Sequence, residues 1–343
     1  MKKCFALLLA LVTALAAATT AWATVTPAEP VTPSVTVEDQ TYTDITSVPI
    51  AKLYQLVNEG TVSPAETFHF TITPESVTDA SITDASAMPM FEPAAFDIAF
   101  TGGEATVDGA SQSAELMLPT YTSVGIYTYK ITETAGATAG VTYNTQPLYL
   151  KVTVLQADNS DGKVRVAAVH LGTEDGSKTA GIVNTYAAGA LDVTKTVAGL
   201  LGDRGKDFQF QVVLTREQGK LIASDIGLTV AGAPQAMPAW DEDGTCTLTF
   251  TLKHGQTATI SNLPYGTAYT VTEADYTAEG YATSKTGDTG TIAAAQATAA
   301  FTNTKNGTID NGVLLDSAPY MVLLVIAAAG GVLLTLRRRG NRS

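Results

Sequence analysis

The chain has 343 residues, 45% of them hydrophobic, and carries 33 acidic against 20 basic side chains for a formal charge of −13. That balance argues against nucleic acid as a partner, because a polyanion is held by clustered Lys and Arg. Its two cysteines are Cys4 and Cys246, so a disulfide-stapled scaffold is excluded once Cys4 leaves with an export signal.

In chain order, residues 1–23 read as a secretory signal peptide: Lys2 and Lys3, an apolar run from Phe5 to Ala18, and the A-x-A site Ala21-Trp22-Ala23. Residues 24–47 are a Thr-, Pro- and Val-rich leader that ends in a first edge strand. From 48 to 186, short β-branched and aromatic runs predict strands, among them Phe68–Ile72, Gly125–Glu133, Leu148–Leu155 and Val164–Leu171. The turn Asp158-Asn159-Ser160-Asp161-Gly162 predicts a hairpin between the last two. Only Ala51 to Glu59 offers room for a turn or two of helix.

A small-residue link, Ala187-Ala188-Gly189-Ala190, predicts a restricted hinge before a second block at 191–305. Strands are predicted there at Leu191–Val197, Phe208–Leu214, Cys246–Leu252, Thr257–Leu263, Ala268–Glu273 and Ala297–Asn303. Both blocks have ordinary domain size, and their regular short strands predict an all-β chain of two tandem sandwiches forming a rod. Residues 308–343 close the chain. Within them, 318–336 carries no charge and precedes Arg337, Arg338 and Arg339, the pattern of a membrane-spanning stretch with its basic flank inside. The exported middle lacks disulfides and must resist proteolysis and force by other means.

One stretch occurs twice: Tyr129-Lys130-Ile131-Thr132-Glu133 and Tyr269-Thr270-Val271-Thr272-Glu273. Alternate strand residues share a face, so each carboxylate lies in phase with the apolar residues before it. A carboxyl group there stays protonated or finds a strong partner. Each block also carries a first-strand lysine on the apolar phase, Lys52 and Lys195, and a last-strand asparagine, Asn184 and Asn303. In an apolar core, the lysine is pushed toward the neutral amine and the carboxyl toward the neutral acid. An amine held against an amide carbonyl, with an acid beside it, can form a side-chain amide bond and release ammonia. This happens once per domain and is not turnover, so the chain is not read as an enzyme.

The stretches "LDVTKTVAGLLGDRGKDFQFQV", "LKHGQTATISNLPYGTAYTVTEADY" and "AFTNTKN" resemble the C-terminal Cna-B-type domain of Gram-positive backbone pilins. "VPIAKLYQLVNEGTVSPAETFHFTI", "GIYTYKITETAG" and "IVNTY" resemble their N-terminal pilin domain, of the T-antigen or FctA type. The resemblance implies immunoglobulin-like sandwiches, with isopeptide bonds from Lys52 to Asn184 assisted by Glu133 and from Lys195 to Asn303 assisted by Glu273. It also implies a cell-surface pilus in which sortase joins the C-terminal end of one copy to a lysine of the next, here Lys178, and anchors the polymer to cell-wall peptidoglycan. The membrane is then a partner of the C-terminal segment only before sorting. At the expected sorting box stands Thr308-Ile309-Asp310-Asn311-Gly312, without the proline and threonine of the LPxTG pattern. Cleavage is expected between Asn311 and Gly312. A monomeric wall- or membrane-anchored adhesin of the same build, binding a host ligand, is the alternative.

Other signals point to no chemistry. His69, His170 and His254 lack metal-ligand spacing, and Asp241-Glu242-Asp243-Gly244 reads as a hairpin turn rather than a calcium loop. Cys246 reads as a core thiol. No cofactor or metal is expected, and a secreted hydrolase lacks convergent catalytic groups.

Overall fold

The computed structural model describes residues 34–37, 40–157, 163–179 and 181–307. The expected signal peptide, half of the leader, the 158–162 turn, Asn311 and the stretch 318–336 lie outside the described residues. Among the described residues, no helix is long and apolar enough to cross a membrane.

Among the described residues, the regular structure is almost entirely β. A hairpin of β1 (Ser34–Val37) and β2 (Gln40–Thr43) precedes the first block. That block contains β3 (Ser47–Leu56), β4 (Glu66–Thr78), β5 (Ala95–Phe100), β6 (Ala110–Met117), β7 (Gly125–Thr134), β8 (Val141–Thr142), β9 (Leu148–Gln156), β10 (Val164–Gly172) and β11 (Gly181–Tyr186). They form two sheets, β10-β9-β7-β4-β5 and β6-β3-β11-β8. The second block contains β12 (Ala188–Ala198), β13 (Phe208–Thr215), β14 (Gly227–Val230), β15 (Ala233–Gln235), β16 (Thr245–Leu252), β17 (Thr257–Pro264), β18 (Ala268–Glu273), β19 (Ala282–Thr286), β20 (Thr289–Thr291) and β21 (Gln296–Thr304). Its sheets run β15-β14-β17-β12-β21-β19 and β16-β13-β18-β20.

Alternation explains these strands. In β3, Val48, Ile50, Lys52, Tyr54 and Leu56 are buried while Pro49, Ala51, Leu53 and Gln55 are only half-buried. The turn or two of helix expected at Ala51–Glu59 is therefore corrected to strand as far as Leu56, because the period of two in burial overrides the weak helical pattern. β9 and β10 pair antiparallel, as a hairpin requires. Each block has its own core. Tyr54, Phe68, Phe70, Tyr127, Ile131 and Leu150 lie in the first; Leu191, Val193, Phe208, Phe210, Val212 and Phe301 lie in the second.

The small-residue link is not a hinge. Only Ala187 separates β11 from β12, and Ala188 is fully buried within the first core. Three clasps surround it. Tyr265 N donates to Ala187 O at 3.0 Å, while Asn58 Nδ2 donates to Ala188 O and to the Tyr265 hydroxyl, both at 2.7 Å. Leu221 N donates to Ala137 O at 2.8 Å and Leu221 O accepts from Ala139 N at 2.9 Å. Asn262 Oδ1 accepts from Val62 N at 3.1 Å, and its Nδ2 donates to Val62 O at 3.0 Å. Asn262 adopts φ 58°, a left-handed conformation that asparagine tolerates better than most side chains, and this turns its amide toward the first block.

Candidate functional site

In the first block, β3 and β11 are parallel neighbours with Lys52 opposite Ile182 and Asn184 opposite Tyr54. Lys52 and Asn184 thus sit two residues apart in register on the same inward face. Glu133 comes from β7 in the facing sheet, where it pairs with Phe70 of β4. The structure brings all three together. Lys52 Nζ donates to Glu133 Oε2 at 2.8 Å, and Asn184 Nδ2 donates to Glu133 Oε1. Asn184 Oδ1 accepts from Asn144 N at 2.9 Å. The lysine and glutamate side chains are 0% and 1% exposed, so the pair is dry.

The second block repeats this register. Lys195 on β12 faces Phe301 on the parallel β21, and Asn303 faces Val197. Glu273 on β18 pairs with Phe210 of β13. Lys195 Nζ lies 2.5 Å from Glu273 Oε1, an ion-pair contact off the directions of a proper hydrogen bond. Asn303 Nδ2 donates to the same oxygen at 3.2 Å. Glu273 Oε2 and Asn303 Oδ1 are buried without a hydrogen-bond partner. Buried polar atoms are rarely left so, because each loses its hydration without replacement.

Burial lowers the Lys52 ammonium to about 8, against the opposing pull of the Glu133 hydrogen bond and charge. Burial lowers Lys195 likewise, with Glu273 opposing. Aromatic faces close both sites: Lys52 Nζ lies 4.5 Å from the Phe68 ring centre and 5.7 Å from Phe70, and Lys195 Nζ lies 4.1 Å from Phe208 and 6.0 Å from Phe210. Sequence reasoning missed the role of these four rings. The signal was the matching Phe-x-Phe, Phe68-His69-Phe70 and Phe208-Gln209-Phe210, standing at the same place in each block.

Lys178 is exposed, whereas Lys52, Asn184, Lys195 and Asn303 are buried. Its backbone is bridged to Gly172, and Asp175 organises the loop before it. The Asp175 carboxylate accepts from the Thr173 hydroxyl at 2.5 Å and from Ser177 N at 3.0 Å. These hydrogen bonds hold the Asp175 carboxyl below its ordinary range.

The remaining signals have structural roles. His254 Nδ1 accepts from Val197 N at 3.0 Å, and exposed His69 pairs with Asp97 at 2.7 Å. Asp241 caps a turn by accepting Thr245 N at 2.7 Å, and Cys246 is a buried thiol whose Sγ contacts Pro238 O at 3.4 Å. Among the described residues, no group of three or more His, Cys, Asp or Glu is placed to hold a metal ion.

Residues 48–187 match the family of Spy0128-like isopeptide containing domains, and residues 189–305 match a domain family of unknown function, DUF7601. The chain is 28% identical over 319 residues to a pilin of Streptococcus pyogenes serotype M1, covering 87% of this chain and 92% of that protein. The crystal structure of the major pilin from Streptococcus pyogenes superposes with a TM-score of 0.50 at 27% identity, covering 76% of this chain and 99% of that one.

Proposed function

Because the chain belongs to the Gram-positive major pilins, we propose that it is the shaft subunit of a covalent, sortase-assembled pilus in which each domain is locked by a Lys–Asn isopeptide bond. A pilus subunit is a structural protein of the cell surface, and its polymer partner is another copy of itself. The observation that carries the finer reading is the recurrence, in two separate cores, of one Lys–Glu–Asn triad with one strand register and one pair of rings.

The chemistry follows from the contacts. Within the Lys52–Glu133 pair, one proton passes from the ammonium to the carboxylate, leaving a neutral amine and a neutral acid. The amine lone pair attacks Asn184 Cγ, whose Oδ1 is polarised by the Asn144 N–H, while the acid stands beside the departing Nδ2. The carbon–nitrogen bond of the side-chain amide breaks as its nitrogen takes one proton from the acid and departs as ammonia, the attacking nitrogen returns one proton to the carboxylate, and the Nζ–Cγ bond remains. Holding the groups in contact replaces activation of the amide. In the second domain, Lys195, Glu273 and Asn303 take the same parts.

Lys178, exposed on an ordered loop, is the acceptor for the C-terminal end of the next copy, which is cleaved after Asn311 and finally transferred to peptidoglycan. The domains span 48–186 and 191–305. Intact-mass measurement of the mature chain tests the crosslinks: wild type lighter than its sequence by two ammonia, Glu133→Ala and Glu273→Ala each by one. A wild type at its full sequence mass rules the bonds out. Covalent high-mass ladders in the native cell that vanish in Lys178→Ala test assembly; ladders that persist show that another residue is the acceptor.

A further inference from the structure

Two features at opposite ends of the chain's path are not used by the triads. Past the end of β12, Leu200 and Leu201 are 77% and 57% exposed. Their turn is rigid: Leu201 N donates to Lys305 O at 3.1 Å, and Lys305 N donates to Ala198 O at 3.0 Å. Gly199 adopts φ 87°, and a Cβ there would lie 2.2 Å from Lys305 O, so only glycine fits. Leu201 also packs on Gly307, where a Cβ would lie 2.1 Å from its Cδ1. Two adjacent leucines are therefore held in solvent beside the point where the chain leaves the second domain.

The other feature is a cavity of about 320 Å³ where the chain enters the first domain, lined by Ile45, Leu118, Tyr121, Val154 and Val166, with Met117 63% exposed at its rim. Its walls are also tied. Asp44 Oδ1 accepts from Val166 N at 2.7 Å, and Leu118 N donates to Thr46 O at 2.8 Å. β3 and β11 run in parallel from this end toward the junction, and β12 leads away from it to the leucines.

We propose that the Leu200–Leu201 turn of one copy seats in this cavity of the next, setting the register of the end-to-end contact. The inference rests on the pilus reading and states how successive copies meet. The exit of the chain beside the leucines selects a second copy as occupant, since a polymer joined through the C-terminal end brings that turn against the following first domain. A knob and hole on different faces of one molecule form a heterologous contact, which propagates as a filament instead of closing as a dimer. Two leucines cover far less than the roughly 1,200–2,000 Å² of a stable interface. Free subunits thus remain monomeric, and the covalent tether, by raising effective concentration, keeps the contact filled.

Disulfide trapping tests this without sortase. The mature chain carrying Leu200→Cys and Met117→Cys, concentrated and oxidised, gives a ladder of trimers and higher species at least tenfold above the reference pair Leu221→Cys with Met117→Cys, and adding Leu201→Asp abolishes the excess. Unchanged melting temperatures show that the variants are folded. A ladder no stronger than the reference pair overturns the contact. Protection of Met117→Cys from a thiol reagent in dilute monomer also overturns it, because the chain's own leader then fills the cavity. Loss of the Lys178-dependent ladder in cells is a separate result, so this contact and the pilus reading fail independently.

Discussion

Lys52 and Lys195 place an ammonium in a dry core, where an unpaired charge is costly, and each meets a carboxylate and a ring face there. The reacting pair must hold one proton between amine and acid. With Lys52 lowered to about 8, raising the pH past that value removes the proton and leaves an amine facing a carboxylate, with no acid to assist ammonia. For chain recovered unfolded before crosslinking, refolding at a series of pH values followed by mass measurement is expected to show ammonia loss at the first site slowing above pH about 8. A rate that climbs steadily through pH 9 would mean that the amine alone is limiting. Stability separates the residues too. Asn184→Ala keeps the ion pair but removes the proposed crosslink, which would close a loop of over a hundred residues, a cost of about 5 kcal/mol. That corresponds to a melting temperature lower by roughly 10–20 °C. Glu133→Ala loses the same bond and also strands a buried ammonium, adding about 3–5 kcal/mol. Calorimetry should therefore rank wild type above Asn184→Ala and Asn184→Ala above Glu133→Ala.

Between elements, the decisive strip is the joint of β11 and β12. Asn262 holds both backbone groups of Val62 across the joint, in the manner of one rung of a ladder, and is 7% exposed. Asn262→Ala removes both bonds, leaves a left-handed alanine, and should cost about 1–3 kcal/mol. Asn262 Nδ2 also donates to Asp225 O at 3.0 Å, so part of the cost falls on the second domain and the rest on the joint. Scattering and spin relaxation of the variant are expected to show independent domain motion, with both isopeptide masses unchanged. Tumbling identical to wild type would mean that the Asn58 and Leu221 clasps suffice.

For the whole molecule, the triads set a path for force. On the proposed crosslinks and Lys178 attachment, a pull between Lys178 and the C-terminal end would run through β11 into β12, cross from Lys195 to Asn303, and leave past Gly307. Everything between Lys195 and Asn303 is bypassed, and so is the chain before Lys178. Force spectroscopy on wild type should show no unfolding step along this axis. Glu273→Ala should restore a step that lengthens the chain by about 350 Å, from roughly 3.3 Å for each released residue. Glu133→Ala should add no such step, although it destabilises the first domain, because Lys52 lies off the path. A long step in Glu133→Ala would place the intermolecular attachment elsewhere than Lys178.

Much of this was legible from the chain alone. Alternation put Lys52, Glu133 and Asn184 on inward phases, and the repeated Tyr-x-x-Thr-Glu strand marked two equivalent cores, because strand periodicity is local and survives without knowledge of neighbours. The small-residue link was misread for a physical reason: Ala and Gly suit a flexible tether, and equally a place where two cores approach too closely for larger side chains, as Ala188 does. Periodicity cannot distinguish these. Nor does it say which strands face one another. Lys52 and Asn184 are neighbours in one sheet and Glu133 hangs from the other, a meeting that depends on strand order and on the distance between packed sheets. The sequence by itself determined which side chains enter the two cores. Only the tertiary structure decided that they touch, under which rings, and that the joint between the domains is clasped, because those contacts join residues far apart in the chain.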